Sequence, residues 1–151
     1  MLLQDAHELA LSLMRQHQLL PTWKFEFDLS KVRFGKCSYG SKTISLSRYL
    51  VELNGETEVR DTILHEIAHA LAPRGAGHGK KWRVVAQSIG CNAMRCYGDE
   101  VVRPTPRYKG TCPSCRRIIF RHRRNLIACG RCSPVFDKKY AFVWTHHRGP
   151  A

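Results

Sequence analysis

The sequence predicts an α+β fold followed by a small cysteine-rich unit. Apolar residues at helical spacing come first along the chain, alternating segments follow, and two more helical segments come after them. Helices and strands that are segregated in this way favour α+β over an alternating α/β architecture. Two Cys-x-x-Cys motifs lie beyond a linker marked by Pro104 and Pro106. We therefore predict two domains, covering residues 1–103 and 104–151.

Length and composition are those of a globular protein without a disulfide scaffold. The 151 residues are enough for one domain with a small appendage, and for a core of ordinary size. No apolar run reaches the ~18 residues that a membrane helix needs, and the first residues do not resemble a signal peptide. We therefore expect a monomer of the cytoplasm, nucleoid or nucleus that is neither secreted nor attached to a membrane.

The first part of the chain predicts one helix and a strand. Apolar residues recur at helical spacing over residues 2–20, and Pro21 ends this helix because proline lacks an amide donor. Trp23, Phe25 and Phe27 then alternate with charged residues, which is the period of a strand.

Two further strands are predicted before the next helix. Val32 and Phe34 indicate a second short strand, which ends at a turn marked by Gly35 and Gly40. Residues 43–47 alternate again and form the third strand. We expect the three strands to form a small antiparallel sheet.

Two helices are predicted after the sheet. The first covers residues 56–71, with Asn54 as its N-cap and acidic residues in its first turn, where they suit the helix dipole. The second covers about residues 80–88. Trp82 is expected to pack this helix against the first one, and a direct substrate contact is the alternative role.

The first of these helices contains the segment HEIAH. His65 and His69 are four residues apart, so both imidazoles lie on one helix face and can bind one ion at about 2.0–2.1 Å. Glu66 projects beside that ion, where it can accept a proton from water and pass it to a leaving amine. The pattern predicts a catalytic zinc with Glu66 as the general base.

A catalytic zinc site needs a third protein ligand and one open position. His78 is the candidate, because it follows His69 in a glycine-rich loop that can turn the chain back. The spacing is longer than in metzincins, and residues 80–98 contain no Glu that could serve as a gluzincin ligand. The alternative is a helix face whose histidines hold no metal. Asp61, one turn before His65, is either an acceptor that orients a ligand imidazole or a solvated acid.

Four of the seven cysteines form two Cys-x-x-Cys pairs in the second domain. Such pairs predict a closed zinc ribbon in which four thiolates hold a structural zinc at about 2.3 Å. Its ligands are Cys112, Cys115, Cys129 and Cys132. A redox motif and free core cysteines are the alternatives. The other cysteines are expected to be small buried hydrophobes, and they are Cys37, Cys91 and Cys96.

The net charge of +13 is concentrated in the second domain. Residues 101–151 contain 12 Lys and Arg against one acid, a net charge of +11, which leaves +2 for residues 1–100. Such a segment attracts polyanions, nucleic acid first, although a merely solvated cationic surface is the alternative. The side chains expected to contact DNA without strong sequence preference are Arg116, Arg117, Arg121, Arg123, Arg124, Lys138 and Lys139.

Aromatic residues accompany this charge. An exposed ring at Phe120 can stack on an unpaired base. The alternative is that Phe120, Phe142 and Trp144 fill the small core of the ribbon.

One family combines these motifs. HEIAHA, a short loop and HGKKW resemble the SprT-like family, in which HExxH is followed by H-G-x-x-W. The segments KTISLSRYLV and TEVRDTILHEIAHAL are also similar to that family, and the likeness covers about residues 1–147. Bacterial SprT proteins and the protease domain of Spartan are members, and the bacterial type carries a zinc ribbon after the protease domain.

The resemblance implies a zincin-like minimal metalloprotease domain with an N-terminal helix, a small sheet and two metal-site helices, followed by the zinc ribbon. It implies two zinc ions, one catalytic and one structural, and DNA-dependent cleavage of proteins bound or crosslinked to DNA. Two other classes stay open. One is a DNA-associated zinc-binding adaptor with weak or vestigial protease activity, which the intact Glu66 disfavours. The other is a metalloenzyme that acts on a small molecule or on nucleic acid.

Overall fold

The computed structural model describes residues 1–94 and 100–147, which belong to two units, Met1–Pro104 and Thr105–Ala151. One predicted core cysteine, Cys96, lies outside the described residues. The first unit contains α1 (Leu3–Gln16), β1 (Lys24–Asp28), β2 (Gly35–Ser38), β3 (Thr43–Ser47), α2 (Arg48–Leu53), α3 (Glu56–Leu71) and α4 (Lys80–Ser88). No helix in the described part of the chain is long and apolar enough to cross a membrane.

Helix α3 is the central element of the first unit. It contacts α1, α4, β2 and β3, and every residue from Thr62 to Ala68 is buried. Two of the buried residues, His65 and Glu66, are polar and are only 6% exposed each. Buried polar groups are costly unless they are bonded, and functional sites are where such costs are found.

The three-stranded sheet is mixed, so the prediction of an antiparallel sheet was wrong for one of its two strand pairs. The strand order is β1-β3-β2, with β2 antiparallel and β1 parallel to the central β3. A tight turn joins β2 to β3, and such a turn permits only antiparallel pairing. Strand β3 then pairs on its free side with β1, which runs in the same direction. Alternation in a sequence indicates a strand but does not identify its neighbour.

The predicted position of the second strand was also wrong. It begins at Gly35, whereas Val32 lies in a bend and is 75% exposed. The bend is formed by local bonds, because Ser30 N donates to Asp28 Oδ1 at 2.9 Å and Arg33 N donates to Ser30 Oγ at 3.0 Å. These side-chain hydrogen bonds hold the backbone in a bend, so strand pairing begins only after it, at Gly35.

Asn54 is not the N-cap of α3, and that prediction was wrong. Gly55 occupies the N-cap position. The Asn54 amide Nδ2 instead donates to Leu50 O at 2.7 Å and to Val102 O at 2.9 Å, while its Oδ1 accepts from Val102 N at 2.8 Å. This buried side chain therefore links the Val102 segment, the last part of the first unit, to the end of α2. No local sequence pattern predicts this long-range contact.

The second unit is a three-stranded antiparallel sheet with a very small core. It comprises β4 (Tyr108–Thr111), β5 (Ile118–Arg121), a 3₁₀ turn (Lys138–Tyr140) and β6 (Val143–His146), in the order β5-β4-β6. Its buried core consists of Cys112, Cys129 and Phe142, with a few partly buried side chains around them. So small a core is the setting in which a metal supplies folding energy.

Replacing Asn54 tests the fastening of the Val102 segment. We expect Asn54→Ala to lower the free energy of unfolding by on the order of 2 kcal/mol, because it removes one buried and two partly buried hydrogen bonds to backbone groups. Urea unfolding measures the change. The exposed Asn92→Ala, whose side-chain Oδ1 accepts a local hydrogen bond from Met94 N, is the control and should stay within about 0.5 kcal/mol of wild type. An equal loss in both variants would contradict the assignment.

Candidate metal centre

Three imidazoles converge in the first unit, two from α3 and one from the loop that follows it. His65 Nε2 lies 2.9 Å from His78 Nε2, and His69 Nε2 lies 3.1 Å from the same atom. A tetrahedral zinc with Zn–N bonds of about 2.0–2.1 Å would hold its nitrogens about 3.3 Å apart. The observed spacings are close to this value, and the three nitrogens form a donor set of the kind that zinc prefers. The residues present therefore fit a zinc ion.

The loop between α3 and α4 is what brings His78 back to the helix. Gly75 and Gly77 have φ values of +80° and +51°, in the left-handed region that favours glycine. Two local bonds tighten the loop, from Ala76 N to Pro73 O and from Gly79 N to Ala76 O. The chain thus reverses within a few residues and delivers the third imidazole just before α4 begins.

Trp82 forms the floor of the imidazole cluster. Its ring is fully buried and lies with centroids 4.7 Å from His65, 5.2 Å from His69 and 4.7 Å from His78. Its indole Nε1 has no hydrogen-bond partner within the described residues. Because the ring is fully buried beneath the three imidazoles, the packing role is favoured over a direct substrate contact.

Two imidazoles of the cluster, those of His65 and His69, are neutral over most of the ordinary pH range. Burial lowers the pKa of His65 to about 4, and the neighbouring His69 and His78 add to the decrease. Burial, again with a contribution from His78, lowers the pKa of His69 to about 4. Only the neutral imidazole binds a metal, so His65 and His69 are in the metal-binding form well below neutral pH.

Glu66 lies in the same cleft as the three imidazoles. Burial raises the pKa of Glu66 to about 8, while the Arg33 guanidinium and a hydrogen bond from the backbone N–H of Cys37 oppose the increase. A carboxyl group that titrates near neutral pH can both accept and release a proton.

The cleft itself is open and has a volume of about 560 Å³, within the range of ligand-binding sites. Besides the imidazoles and Glu66, it is lined by one edge of β2 and by the glycine loop. The lining residues are Arg33, Gly35, Cys37, Tyr39, His65, Glu66, His69, Gly75, Gly77 and His78. Tyr39 also supports the cluster, because its hydroxyl donates to His69 O at 2.6 Å.

Six of the lining residues are not among the predicted site residues: Arg33, Gly35, Cys37, Tyr39, Gly75 and Gly77. Gly75 and Gly77 belong to the glycine-rich loop that was expected to turn His78 back to the helix. The spacing of the other four does not connect them to HEIAH, and Gly35, a glycine next to a run of strand-forming residues, carries the one local signal among them. Asp61, one of whose two predicted roles is to orient a ligand imidazole, accepts a hydrogen bond from Asn92 N at 2.8 Å.

Four thiols converge in the second unit. Cys112 Sγ lies 3.8 Å from Cys132 Sγ, and Cys115 Sγ lies 3.6 Å from Cys129 Sγ. Four sulfurs at about 2.3 Å from a tetrahedral zinc would be about 3.8 Å apart. The sulfurs are too far apart for disulfides, and all four cysteines are free. The donor set and its spacing therefore fit a closed zinc site.

The basic residues that are predicted to contact DNA lie at the surface of the second unit. All seven, from Arg116 to Lys139, are exposed. Of the three aromatic residues, Phe142 is buried and Trp144 is partly buried, with its Nε1 donating to Asn125 O at 3.0 Å. Phe120 is 42% exposed. Core filling thus accounts for two of the three rings, and Phe120 is the one available to a ligand.

Two imidazoles on a helix and a third from the loop that follows it, beside a carboxyl group, form an arrangement typical of a metalloprotease-type domain. A family model described as the SprT-like family matches residues 3–105, which is more than half of the chain. The chain therefore belongs to the SprT-like family, as the resemblance implied. A search for individual curated relatives found no match.

Metal content tests both ligand sets in a single measurement. We expect about two zinc ions per chain in the wild-type protein and about one in His78→Ala, because two imidazoles alone bind zinc weakly and the thiol site is unaffected. Inductively coupled plasma mass spectrometry on gel-filtered protein gives the ratio. His17→Ala, remote from both clusters in sequence, is the control. An unchanged ratio in His78→Ala would remove this residue from the ligand set.

The Glu66→Gln variant isolates the effect of the buried carboxyl on stability in metal-free protein. The carboxyl ionises near its ordinary value of 4.5 in the unfolded chain, but its pKa is about 8 in the folded one. The folded state therefore binds the extra proton between these values, and wild-type stability falls as the pH rises through this range.

We expect the stability difference between the wild-type and Glu66→Gln proteins to grow in favour of the variant from about pH 5 to about pH 8. Urea unfolding after chelation measures it at several pH values, and comparison with the variant cancels the titration of all other groups. A difference that is independent of pH would show that Glu66 is not buried as described.

Proposed function

We propose that this protein is a zinc-dependent endopeptidase that cleaves proteins held on DNA, including proteins crosslinked to it. The observation that carries the proposal is the placement of Glu66 in the same cleft as the three converging imidazoles. The family supports the metalloprotease part of the proposal, and the charge of the second unit supports the DNA part.

In this proposal His65, His69 and His78 hold the zinc ion, and Glu66 moves protons. A bound zinc ion in such a site polarises the scissile carbonyl and lowers the pKa of water. The Glu66 carboxylate accepts a proton from the attacking water and then delivers it to the nitrogen of the leaving amine. Its burial suits this shuttle, because a base with a pKa near neutral can take up a proton and give it back.

The cleft supports a polypeptide substrate with little side-chain selection. A side chain at Gly75 or Gly77 would meet no atom within 4 Å, so the cleft is wide on that side. Its other wall is the edge of strand β2. The charged side chains among the described lining residues are Arg33 and Glu66, and Glu66 is buried. A cleft of this kind provides no deep pocket for one type of side chain.

The second unit supports the choice of substrate by location. Exposed arginines can pair with phosphates, and an exposed ring such as Phe120 can stack on an unpaired base. A ribbon bound to DNA would hold the cleft near proteins on the same DNA and so raise their effective concentration. Selection by proximity would compensate for the absence of side-chain selection. We propose that the protein works at DNA in the cell and as a monomer.

Two other functions explain fewer of the observed features of the cleft. A zinc-binding adaptor without activity would have no need for a carboxyl group buried beside the metal ligands. A nuclease is disfavoured because nucleases with several metal ions use clusters of carboxylates, and the described cleft lining includes one, that of Glu66.

DNA-dependent cleavage tests the proposal. We expect the wild-type protein to degrade a DNA-binding protein faster when DNA is present, and Glu66→Gln to lose at least about 100-fold in rate because it cannot accept a proton. Gel analysis of fragments over time measures both. Equal fragment patterns from the wild-type and Glu66→Gln proteins would favour the adaptor, and DNA degradation without protein cleavage would favour the nuclease.

The contribution of the ribbon is tested by the double variant Arg117→Ala/Arg123→Ala. It should bind DNA more weakly, with a shallower salt dependence, and should lose DNA stimulation while it keeps its DNA-independent rate. Arg48→Ala removes an exposed arginine that pairs with Glu52 in the first unit, and it is the matched control. Loss of DNA binding in both proteins alike would contradict a specific role for the ribbon.

A further inference from the structure

Strand β2 passes unusually close to the side chain of Glu66. A Cβ atom placed on Gly35 would lie 2.6 Å from Glu66 Oε1, 2.7 Å from its Cγ and 3.0 Å from its Cδ. These are the three nearest atoms, and all of them belong to the same side chain. Real Cβ atoms essentially never approach other atoms so closely, so any residue other than glycine here would displace the carboxyl group or the strand.

The backbone conformation at position 35 does not require a glycine. Gly35 has no φ in the left-handed region, whereas Gly75, Gly77 and Gly90 do. Inside a strand, glycine reduces stability because it gains nothing from side-chain packing and loses more entropy on folding. A glycine that costs stability without a conformational need marks a close approach, and here the approaching group is Glu66.

A second contact fixes the same side chain from the same strand. Ser47 N donates to Phe34 O across the β2–β3 pair, so the bonding pattern alternates along β2 and turns the N–H of Cys37 away from β3. The backbone N–H of Cys37 donates a hydrogen bond to the Glu66 carboxyl group. Gly35 thus leaves room for the carboxyl group, and Cys37, two residues further along β2, bonds it through its backbone N–H.

We propose that Gly35 is a positioning residue, whose missing side chain leaves the space in which β2 holds the Glu66 carboxyl group at the metal centre. The proposal rests on the proposed function only in that Glu66 is the base. It assigns to β2 a task besides forming one wall of the cleft: the strand and the helix meet at one side chain, so the base is constrained on two sides.

The test compares Gly35→Ala with Gly40→Ala. Gly40 lies in the turn that follows the same strand, and a Cβ there would meet nothing within 4 Å, so it is the control. We expect Gly35→Ala to keep its zinc and nearly its wild-type KM, but to lose about 100-fold in kcat, because a displacement of about 1 Å has effects of this size. Gly40→Ala should match the wild type in all three. A wild-type kcat in Gly35→Ala would overturn the proposal.

A second measurement needs no protease activity. Gly35→Ala should lower the melting temperature by on the order of 5 °C in the wild-type background, because a core position is overpacked. In a Glu66→Ala background the crowded atoms are gone, so the same substitution should cause almost no shift. An equal shift in both backgrounds would overturn the proposal.

The two measurements separate the possible failures. A wild-type protein that cleaves nothing would defeat the proposed function, while the melting temperatures would still decide whether Gly35 makes room for Glu66. If Gly35→Ala does not fold, the double variant Gly35→Ala/Glu66→Ala decides. A folded double variant supports the proposal, and a double variant that also fails to fold overturns it.

Discussion

Three imidazole nitrogens can share one cation only if the protein holds them about 3 Å apart, and the first unit is organised around that requirement. The helical repeat of α3 supplies two of them, because residues four apart lie one above the other. A loop with two glycines in the left-handed region supplies the third. The ring of Trp82, on helix α4, packs against all three imidazole rings, so the position of the cluster does not depend on the loop alone.

The second unit is also built around a set of metal-ligand atoms that lie close together. Its core is too small to fold by burial of apolar surface alone, and four thiols lie at the centre of what core there is. Its surface is then free to carry charge. The two units therefore divide the work that we propose: a buried polar centre for chemistry in one, and an exposed basic surface for attachment to DNA in the other.

The sequence was most informative where one element carries its own signal. The bounds of α3 and α4 were predicted correctly, since helical periodicity and end signals are local, and the convergence of His65, His69 and His78 followed from helix geometry and a glycine loop. The partner of β1 and the role of Asn54 were not predictable, because strand order and long-range hydrogen bonds depend on the assembled fold. Gly35 illustrates the limit: the sequence shows a glycine, but only the structure shows what fills its space.

Anomalous diffraction at the zinc absorption edge, from crystals of the wild-type protein, tests the account at its centre. We expect one anomalous peak within about 2.0–2.1 Å of the Nε2 atoms of His65, His69 and His78, with a fourth position free of protein atoms, besides a peak among the four cysteines. A peak among the cysteines alone, with the His78 ring turned away from α3, would contradict the account.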